Sequence, residues 1–397
     1  MALSRRTFLS SSAAIALALA ARPNIAGADG DQSLRFEPLL APDANGLALP
    51  PGFTSRVVAR SGQPVANSSY RWPIFPDGGA CFETNDGGWY YVANSEHPAV
   101  GEGGVGAIRF DRHGEILRAR SILTGTTNNC AGGPTPWRTW LSCEEISTGL
   151  VWECDPRGRF AGVARPALGT FKHEAVAVDS TRRRLYLTED EPDGRLYRFT
   201  ARHHGDLRSG LLEAARVDGK AVTWIEIPDP AATAQPTRLQ VPETTPFQGG
   251  EGIWWTDGAI TFVTKRDHKV WRLDTERECI SVLHDALAPG SNGVLGEPDN
   301  VTVTDRGDVF ITEDQGTDQQ VVLVTRKGKV LPVLQLAGHP GSELSGIAFS
   351  PSGRRMYISS QRGTDGGPGL GITYEVSGPF RGRQDDQWDS PHRRDHD

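Results

Sequence analysis

Apolar and polar residues alternate in short runs along most of the chain, and turn residues separate these runs. The clearest copy covers residues 174–199, where an apolar strand, a polar turn, a second strand ending in Thr-Glu-Asp and a third strand follow one another. Alternation over a few residues predicts strands with one buried face. Long helical periodicities are scarce, so the pattern predicts an all-β fold.

The same unit recurs six times at intervals of roughly 45–50 residues, which is the spacing expected of propeller blades. The units begin near residues 79, 130, 174, 251, 299 and 345. We therefore predict a six-bladed β-propeller over residues 49–380, with residues 53–59 closing the ring beside residues 372–376. A two-sheet sandwich is the alternative, but a sandwich does not require six similar units.

The two ends of the chain are predicted to lie outside the propeller. Residues 1–28 read as a targeting peptide, because Arg5 and Arg6 form a twin-arginine signature, an apolar run follows, and residues 26–28 offer an A-x-A cleavage site. The twin-arginine machinery would then export the protein to the periplasm or beyond. Residues 29–48 are predicted to be an N-terminal extension, and the charged residues 381–397 a disordered tail.

Composition narrows the classes of partner. The chain carries 49 acidic and 42 basic residues, a formal net charge of −7. An acidic surface argues against nucleic acid and suits hard cations. No run beyond the targeting peptide is long enough to cross a membrane. The five cysteines are an odd number for an oxidising compartment and none forms a CxxC zinc pattern, so one of them is a candidate metal thiolate.

Hairpin geometry predicts which residues meet. In an antiparallel hairpin the start of the first strand lies beside the end of the second, and in a propeller the first strands line the central channel. The opening positions are Gly79, Cys130 (or Asn129), Glu174, Glu251, Asp299 and Ser345. The closing positions are Asn94, Cys143, Glu189, Lys265, Glu313 and Ser360, followed by Ser95, Glu144, Asp190, Arg266, Asp314 and Gln361.

The convergence of these columns predicts a metal site. Carboxylates at close range repel by several kcal/mol at reduced dielectric unless protons or cations neutralise them. A single acid at a strand start is usually a solvated loop residue, but the same register in several units favours shared cations. The predicted carboxylate ligands are Glu144, Glu174, Glu189, Asp190, Glu251, Asp299, Glu313 and Asp314.

Basic residues beside this set suggest an anionic substrate. Lys265, Arg266 and Arg362 occupy equivalent places next to the acids, where they would hold an anion or form ion pairs with their neighbours. Together with Asn94 they are the candidate catalytic residues. A cysteine such as Cys143 is, taken alone, more often a small buried hydrophobe than a ligand.

One long segment carries a family resemblance. Residues 129–145, NCAGGPTPWRTWLSCEE, resemble a signature of the PhoX-type alkaline phosphatases. Residues 172–175, 187–190 and 298–300 are similar to shorter motifs of that family and follow in the same order. The resemblance implies an exported six-bladed propeller that hydrolyses phosphate esters at an iron and calcium cluster.

The resemblance also implies particular ligands. By that likeness Cys143 would bind iron as a thiolate, and the carboxylates of Glu174, Glu251, Asp299 and either Glu313 or Asp314 would complete the cluster. It further implies an arginine two residues before the blade-four glutamate, where this chain has a glycine at position 249.

Three functions compete at this point. The first is a monomeric metallophosphatase acting on a small anionic phosphate ester outside the cytoplasm. The second is a calcium-dependent propeller hydrolase of the lactonase kind, in which a thiolate ligand is not expected. The third is a non-catalytic propeller that binds a ligand around a structural calcium ion. Iron in the purified protein would favour the first.

Overall fold

The computed structural model describes residues 36–179, 181–304, 306–314 and 319–380. The predicted targeting peptide and C-terminal tail lie outside these residues. The described chain is almost entirely strand and turn, and its helical segments are the short 3-10 turns Pro166–Leu168, Thr237–Leu239 and Gly363–Asp365. None of the helices in the described ranges has the length and apolar character needed to span a membrane.

The strands, numbered in chain order, are β1 (Leu47–Ala48), β2 (Thr54–Arg60), β3 (Pro76–Glu83), β4 (Trp89–Ser95), β5 (Gly103–Phe110), β6 (Ile116–Thr126), β7 (Asn129–Pro134), β8 (Trp140–Glu144), β9 (Val151–Cys154), β10 (Val163–Ala164), β11 (His173–Asp179), β12 (Arg184–Glu189), β13 (Leu196–Ala201), β14 (Gly210–Asp218), β15 (Ala221–Glu226), β16 (Gly250–Thr256), β17 (Ala259–Thr264), β18 (Lys269–Asp274), β19 (Cys279–Asp285), β20 (Pro298–Val303), β21 (Val309–Glu313), β22 (Gln319–Val324), β23 (Val330–Leu336), β24 (Leu344–Phe349), β25 (Arg355–Ser360) and β26 (Ile372–Ser377).

These strands form antiparallel sheets with the orders β3-β4-β5-β6, β10-β9-β8-β7, β2-β26-β25-β24 and β1-β23-β22-β21-β20, and one nine-stranded sheet. The nine-stranded sheet consists of β11–β15 and β16–β19, joined through the pairing of Ala221 with Cys279. The inner strands β3, β7, β11, β16, β20 and β24 contact one another in that order, and β24 returns to β3. The predicted all-β, propeller-like arrangement is confirmed, and β2 pairs with β26 as expected.

Each of the six inner hairpins begins with the same irregularity. In β11 and β12, His173 pairs with Glu189, and the next regular pair is Val176 with Leu187. Between these two pairs the chain moves three residues along β11 but only two along β12. The other five hairpins shift register at the corresponding place. A β-bulge of this kind changes the direction of the side chains beside it. It therefore decides which residue of each hairpin faces the centre of the ring.

Glycines let the inner strands approach closely. A Cβ atom at Gly78 would lie 2.6 Å from the Cα atom of Ala131 on the neighbouring inner strand. One at Gly252 would lie 2.5 Å from the backbone nitrogen of Val301. Atoms at such distances overlap, so a side chain at either position would push the inner strands apart. The narrow centre of the ring therefore depends on these two residues.

Aromatic packing joins the first sheet to the last. The rings of Tyr91 and Tyr357 stack with centroids 4.7 Å apart, and Trp89 donates its indole N–H to the Tyr357 hydroxyl at 3.1 Å. Trp72 stacks on Tyr91 at 6.0 Å. Each aromatic pair of this kind contributes about 0.5–1.5 kcal/mol beyond the area that it buries. The contacts hold the two ends of the ring together, and acidic residues from both ends meet at its centre.

Candidate metal centre

Acidic residues from all parts of the ring meet at its centre in three groups. Within each group one ligand atom per residue lies within 4.8 Å of the others. The groups are Glu174, Glu251 and Asp299; Asp77, Glu96 and Glu343; and Glu96, Cys130 and Glu145. We call these seven carboxylates and the Cys130 thiol the central acidic cluster. Its members open inner strands or lie next to the ends of inner-hairpin strands.

Glu174 has the least compensated carboxylate of the cluster. Its Oε1 atom accepts a hydrogen bond from the Cys130 thiol at 3.2 Å. Its Oε2 atom is buried and has no hydrogen-bond partner among the described residues. Burial, followed by the charges of Glu251 and other acids, raises the pKa of Glu174 well above its usual value. A cation would satisfy this oxygen and remove the repulsion.

A glutamine bridges the second group. The Gln361 side-chain amide donates to Asp77 at 2.6 Å and to Glu96 at 2.5 Å. Arg362 donates to Glu343 at 2.9 Å. Burial, followed by the charge of Asp314, raises the pKa of Glu343 to about 8. A neutral donor thus holds two of these carboxylates together without supplying positive charge.

Lys172 links the third group to the rim of the cluster. Its ammonium lies 2.8 Å from Glu145 and 2.8 Å from Asp190. Burial opposes the charge of this lysine, but the two carboxylates outweigh it and raise its pKa. Lys172 therefore stays protonated and fixes the end of β8 against the end of β12.

Two further basic residues lie along the same rim. The Lys265 ammonium is 2.5 Å from Asp314 and 4.0 Å from Glu251, and their charges keep its pKa raised despite burial. The Arg266 guanidinium is 4.0 Å from Asp190, and half of its side chain is exposed. Arg266 is thus the least engaged cation beside the cluster.

The local charge remains strongly negative. The seven cluster carboxylates together with Asp190 and Asp314 face four cations within 4.0 Å, namely Lys172, Lys265, Arg266 and Arg362. If all were ionised, five negative charges in this described region would be unbalanced. Such a group of buried acids requires protons or bound cations. The donor set of carboxylate oxygens and one thiol fits metal ions.

The structure brings three of the predicted ligands together and puts two at the rim. Glu174, Glu251 and Asp299 lie in one group, as hairpin geometry predicted. Asp190 and Asp314 lie next to it, each in an ion pair with a lysine. These five residues all follow the register that their inner hairpins share.

The thiol is placed differently from the sequence analysis. Cys143 is fully buried in a hydrophobic cluster with Leu141, Val151 and Leu187, away from the acids. The cysteine beside the acids is Cys130. The reason is the position of each cysteine along the hairpin. Cys130 lies in the bulge at the start of β7, whereas Cys143 lies within β8, pairs with Val151 and packs into the core.

Three predicted carboxylate ligands have other partners. Glu144 accepts hydrogen bonds from the backbone of Thr127 at 2.9 Å and from the indole of Trp152 at 2.9 Å. Glu189 accepts from the Tyr197 hydroxyl at 2.8 Å, and burial raises its pKa to about 7. Glu313 accepts from a backbone N–H at 2.6 Å. Each is the last residue of its strand, one position before the residue that faces the cluster.

Asn94 braces the backbone around the thiol. Its amide donates to the carbonyl oxygens of Cys130 at 3.0 Å and Ala131 at 2.7 Å. Its Oδ1 atom accepts from Trp140 and Ser142, both at 2.9 Å. The side chain is completely buried and its bonding capacity is used, so it holds the strand that carries Cys130.

Sequence reasoning missed five residues of the cluster and its rim: Asp77, Glu96, Glu145, Lys172 and Glu343. Asp77 and Glu343 each lie two residues before the positions aligned from the apolar pattern. Glu96 and Glu145 each directly follow a strand end, as Asp190 and Asp314 do. If the same bulge, three residues of the first strand opposite two of the second, had been assumed in every hairpin, the alignment would have placed Asp77, Glu96 and Glu145 at the cluster positions.

Gly249, at the position where the family resemblance implied an arginine, lies next to the side chain of Arg266. Gly249 has a left-handed backbone with φ of 68°. A Cβ atom there would lie 3.1 Å from the Cγ atom of Arg266 and 3.2 Å from Asp190. The aliphatic part of Arg266 therefore occupies space that a larger residue at position 249 would need.

Comparison with known proteins gives the family. The model for alkaline phosphatase PhoX matches residues 117–153, 147–277 and 282–363, more than half of the chain. The chain belongs to the PhoX alkaline phosphatase family. Members are metal-dependent phosphatases, so this PhoX-family protein is a hydrolase of phosphate esters. A search of curated proteins found no match.

Solved structures agree on the fold. Pseudomonas fluorescens PhoX, solved in complex with vanadate, a transition-state analogue, superposes with a TM-score of 0.70 at 17% identity, covering 87% of this chain and 98% of that chain. A Bacteroides thetaiotaomicron protein of unknown function gives 0.51 at 12% identity, covering 82% and 76%. A Xanthomonas campestris gluconolactonase gives 0.50 at 11% identity, covering 87% and 99%. At these identities the likeness concerns the fold.

Proposed function

We propose that this PhoX-family protein hydrolyses phosphate monoesters at the central acidic cluster of a six-bladed propeller. The observation that carries this proposal is the gathering of seven carboxylates and a thiol, with too few cations to balance them. Six inner hairpins with the same bulge, in contact around a closed ring, support the number of blades.

The cluster would hold iron and calcium. Cys130, Glu145 and Glu174 offer the mixed sulfur and oxygen donors that suit iron, and the carboxylate-only groups suit calcium. Bound metal ions would supply Lewis-acid stabilisation of charge on the phosphoryl group. Burial holds the pKa of Cys130 well above its usual value, so this thiol gives up its proton only when a cation takes its place.

Basic residues on the rim would hold the substrate phosphoryl group. Arg266 is half exposed and only 4.0 Å from one acid, so it can turn toward an anion at little cost. Lys265 and Arg362 are about one-third exposed and keep their carboxylate partners in place. A guanidinium matches two phosphoryl oxygens at once, which favours Arg266 as the principal contact.

Vanadate in the Pseudomonas fluorescens PhoX structure supports a phosphoryl substrate. The twin-arginine signal supports export, so the physiological substrate would be a small phosphate ester met in the periplasm or outside the cell. The protein is proposed to act as a monomer. The solved gluconolactonase shares only the fold with this chain, so it gives no separate support to the lactonase alternative.

The test uses the full chain, exported with its own signal. We expect iron and calcium in the purified protein and hydrolysis of p-nitrophenyl phosphate, with no turnover of gluconolactone. Glu174→Gln should lower kcat at least about 100-fold, because it removes a charged ligand. Glu144→Gln is the matched control and should keep most of the activity. Equal activity of Glu174→Gln and the wild type would contradict the proposal.

A further inference from the structure

A second charged surface lies at the far ends of the strands that carry the cluster. It is a groove of about 680 Å³ between the first two sheets of the ring. Its walls come from the turn after β3, the turn after β7 and the segment after β9. We call it the arginine groove, and its lining residues are Thr84, Asn85, Asp86, Tyr90, Arg109, Trp137, Arg138, Arg157 and Arg159.

Arginines crowd around one tyrosine behind this groove. The guanidinium groups of Arg109, Arg118 and Arg120 lie 5.4, 5.7 and 6.0 Å from the centroid of the Tyr90 ring. Arg109 is buried and forms two hydrogen bonds to Asp86, at 2.5 and 2.6 Å. Cations over a ring face are attracted by its quadrupole, but their mutual repulsion remains.

Most of the arginines at this place lack an acidic partner. The guanidinium groups of Arg118, Arg120, Arg138 and Arg157 have no carboxylate within 4.0 Å among the described residues, although the backbone N–H of Arg157 donates to Asp155 at 3.0 Å. The guanidinium of Arg159 pairs with Asp155 at 2.5 Å. The Nε atom of Arg120 is also buried without a hydrogen-bond partner in that part of the chain.

The balance of charge is therefore opposite to that of the whole chain. In and behind the groove, six guanidinium groups, four of them among its lining residues, meet two carboxylates, in a protein whose net charge is −7. Four positive charges remain without an opposite charge from the described chain.

The groove is separate from the catalytic centre. Asp77 lies at the start of β3 and Thr84 follows its end. Seven residues of extended strand separate them, which corresponds to roughly 23 Å. A small molecule bound at one place cannot touch the other.

We propose that the arginine groove binds an anion that carries several phosphate groups. Guanidinium groups match phosphate oxygens in pairs, and four unbalanced charges exceed the two that a single phosphate supplies. The groove is open to solvent, so a soluble anion can reach its arginines directly. Trp137 at its wall provides an aromatic face and an internal fluorescent reporter.

Trimetaphosphate is a suitable probe, because it carries three negative charges, lacks a terminal phosphoryl group and chelates calcium weakly. It would be titrated calorimetrically into the metal-loaded exported protein. Arg138→Glu combined with Arg157→Glu should weaken binding at least about 100-fold, since each lost charged contact costs about tenfold or more. Hydrolysis of p-nitrophenyl phosphate should stay unchanged in this variant.

The matched control reverses two exposed charges elsewhere, Arg216→Glu with Lys220→Glu, and should leave trimetaphosphate affinity within about twofold. If the Glu pair at the groove fails to fold, Arg138→Gln with Arg157→Gln replaces it and should still lose at least about tenfold. Equal affinity of the groove variant and the wild type would overturn the proposal. So would equal losses in groove and control variants, or binding to phosphatidylglycerol vesicles without binding of trimetaphosphate.

Discussion

Removal of metal should make the protein sensitive to alkaline pH through the acids at its centre. The perturbation is Glu174→Gln in protein treated with a chelator. Burial and neighbouring charges raise the pKa of Glu174 in the folded protein. The folded state therefore keeps a proton that the unfolded chain loses above its ordinary value of about 4.3. Stability falls as pH rises from there toward the raised pKa, and a glutamine removes that loss.

The distances give the size of the effect. Glu174, Glu251 and Asp299 present ligand atoms within 4.8 Å of one another. At that distance two unit charges repel by about 3.5 kcal/mol if the effective dielectric constant is about 20. Lys265 offsets part of the charge of Glu251. We therefore expect Glu174→Gln to raise the free energy of unfolding by about 2–4 kcal/mol at pH 8.5 and by at most about 1 kcal/mol at pH 5.

The assay is urea unfolding followed by tryptophan fluorescence, with chelator present, at both pH values. Glu144→Gln is the control, because this buried acid accepts two backbone and one indole N–H bonds, and the substitution should cost about 1–3 kcal/mol. With calcium and iron restored, the wild type should gain more stability than Glu174→Gln. A Glu174→Gln protein no more stable than the wild type at pH 8.5 without metal would refute the reasoning.

Four other substitutions test the site. Cys130→Ser should lose iron, as measured by elemental analysis, whereas Cys143→Ser should keep it. Cys143→Ser should instead lower the free energy of unfolding by about 1–3 kcal/mol, because it buries a hydroxyl in an apolar cluster. Lys265→Met should destabilise the chelated protein by about 2 kcal/mol at pH 8.5, because two carboxylates lose their partner. Gly249→Ala should lower the free energy of unfolding by about 1–2 kcal/mol, because an alanine is strained in this left-handed backbone. It should also raise KM for p-nitrophenyl phosphate by displacing Arg266, and unchanged kinetics would argue against Arg266 as a phosphate contact.

Much of the fold could be predicted from local pattern. Alternation of apolar residues and the turns between them predicted the hairpins, because the period of two is a property of each strand alone. The pairing of β2 with β26 followed from the need to close the ring. Glu174, Glu251 and Asp299 were expected to meet because antiparallel pairing brings the starts and ends of inner strands together, and they do.

The identity of the thiol required the exact register. Positions 130 and 143 both lie in the hairpin of β7 and β8, and the apolar pattern fits a ligand at either. In the structure Asn129 pairs with Glu144, so Cys130 and Glu145 face the cluster and Cys143 faces the hydrophobic core. The family resemblance implied Cys143 as the thiolate, whereas in the structure the thiol beside the acids is that of Cys130, in the bulge between Asn129 and Gly132.

Other members of the cluster depend on the closed ring. Asp77 comes from the first sheet and Glu343 precedes the first strand of the last one, and Gln361 ties Asp77 to Glu96. The repeat in the sequence predicts that each hairpin has a position near the centre of the ring, because each hairpin forms from residues that are close in sequence. It does not tell which residue of a repeat turns inward, since that depends on a bulge and on how closely neighbouring inner strands pack. Only the assembled ring, closed by contacts between its two ends, makes distant acids share one centre.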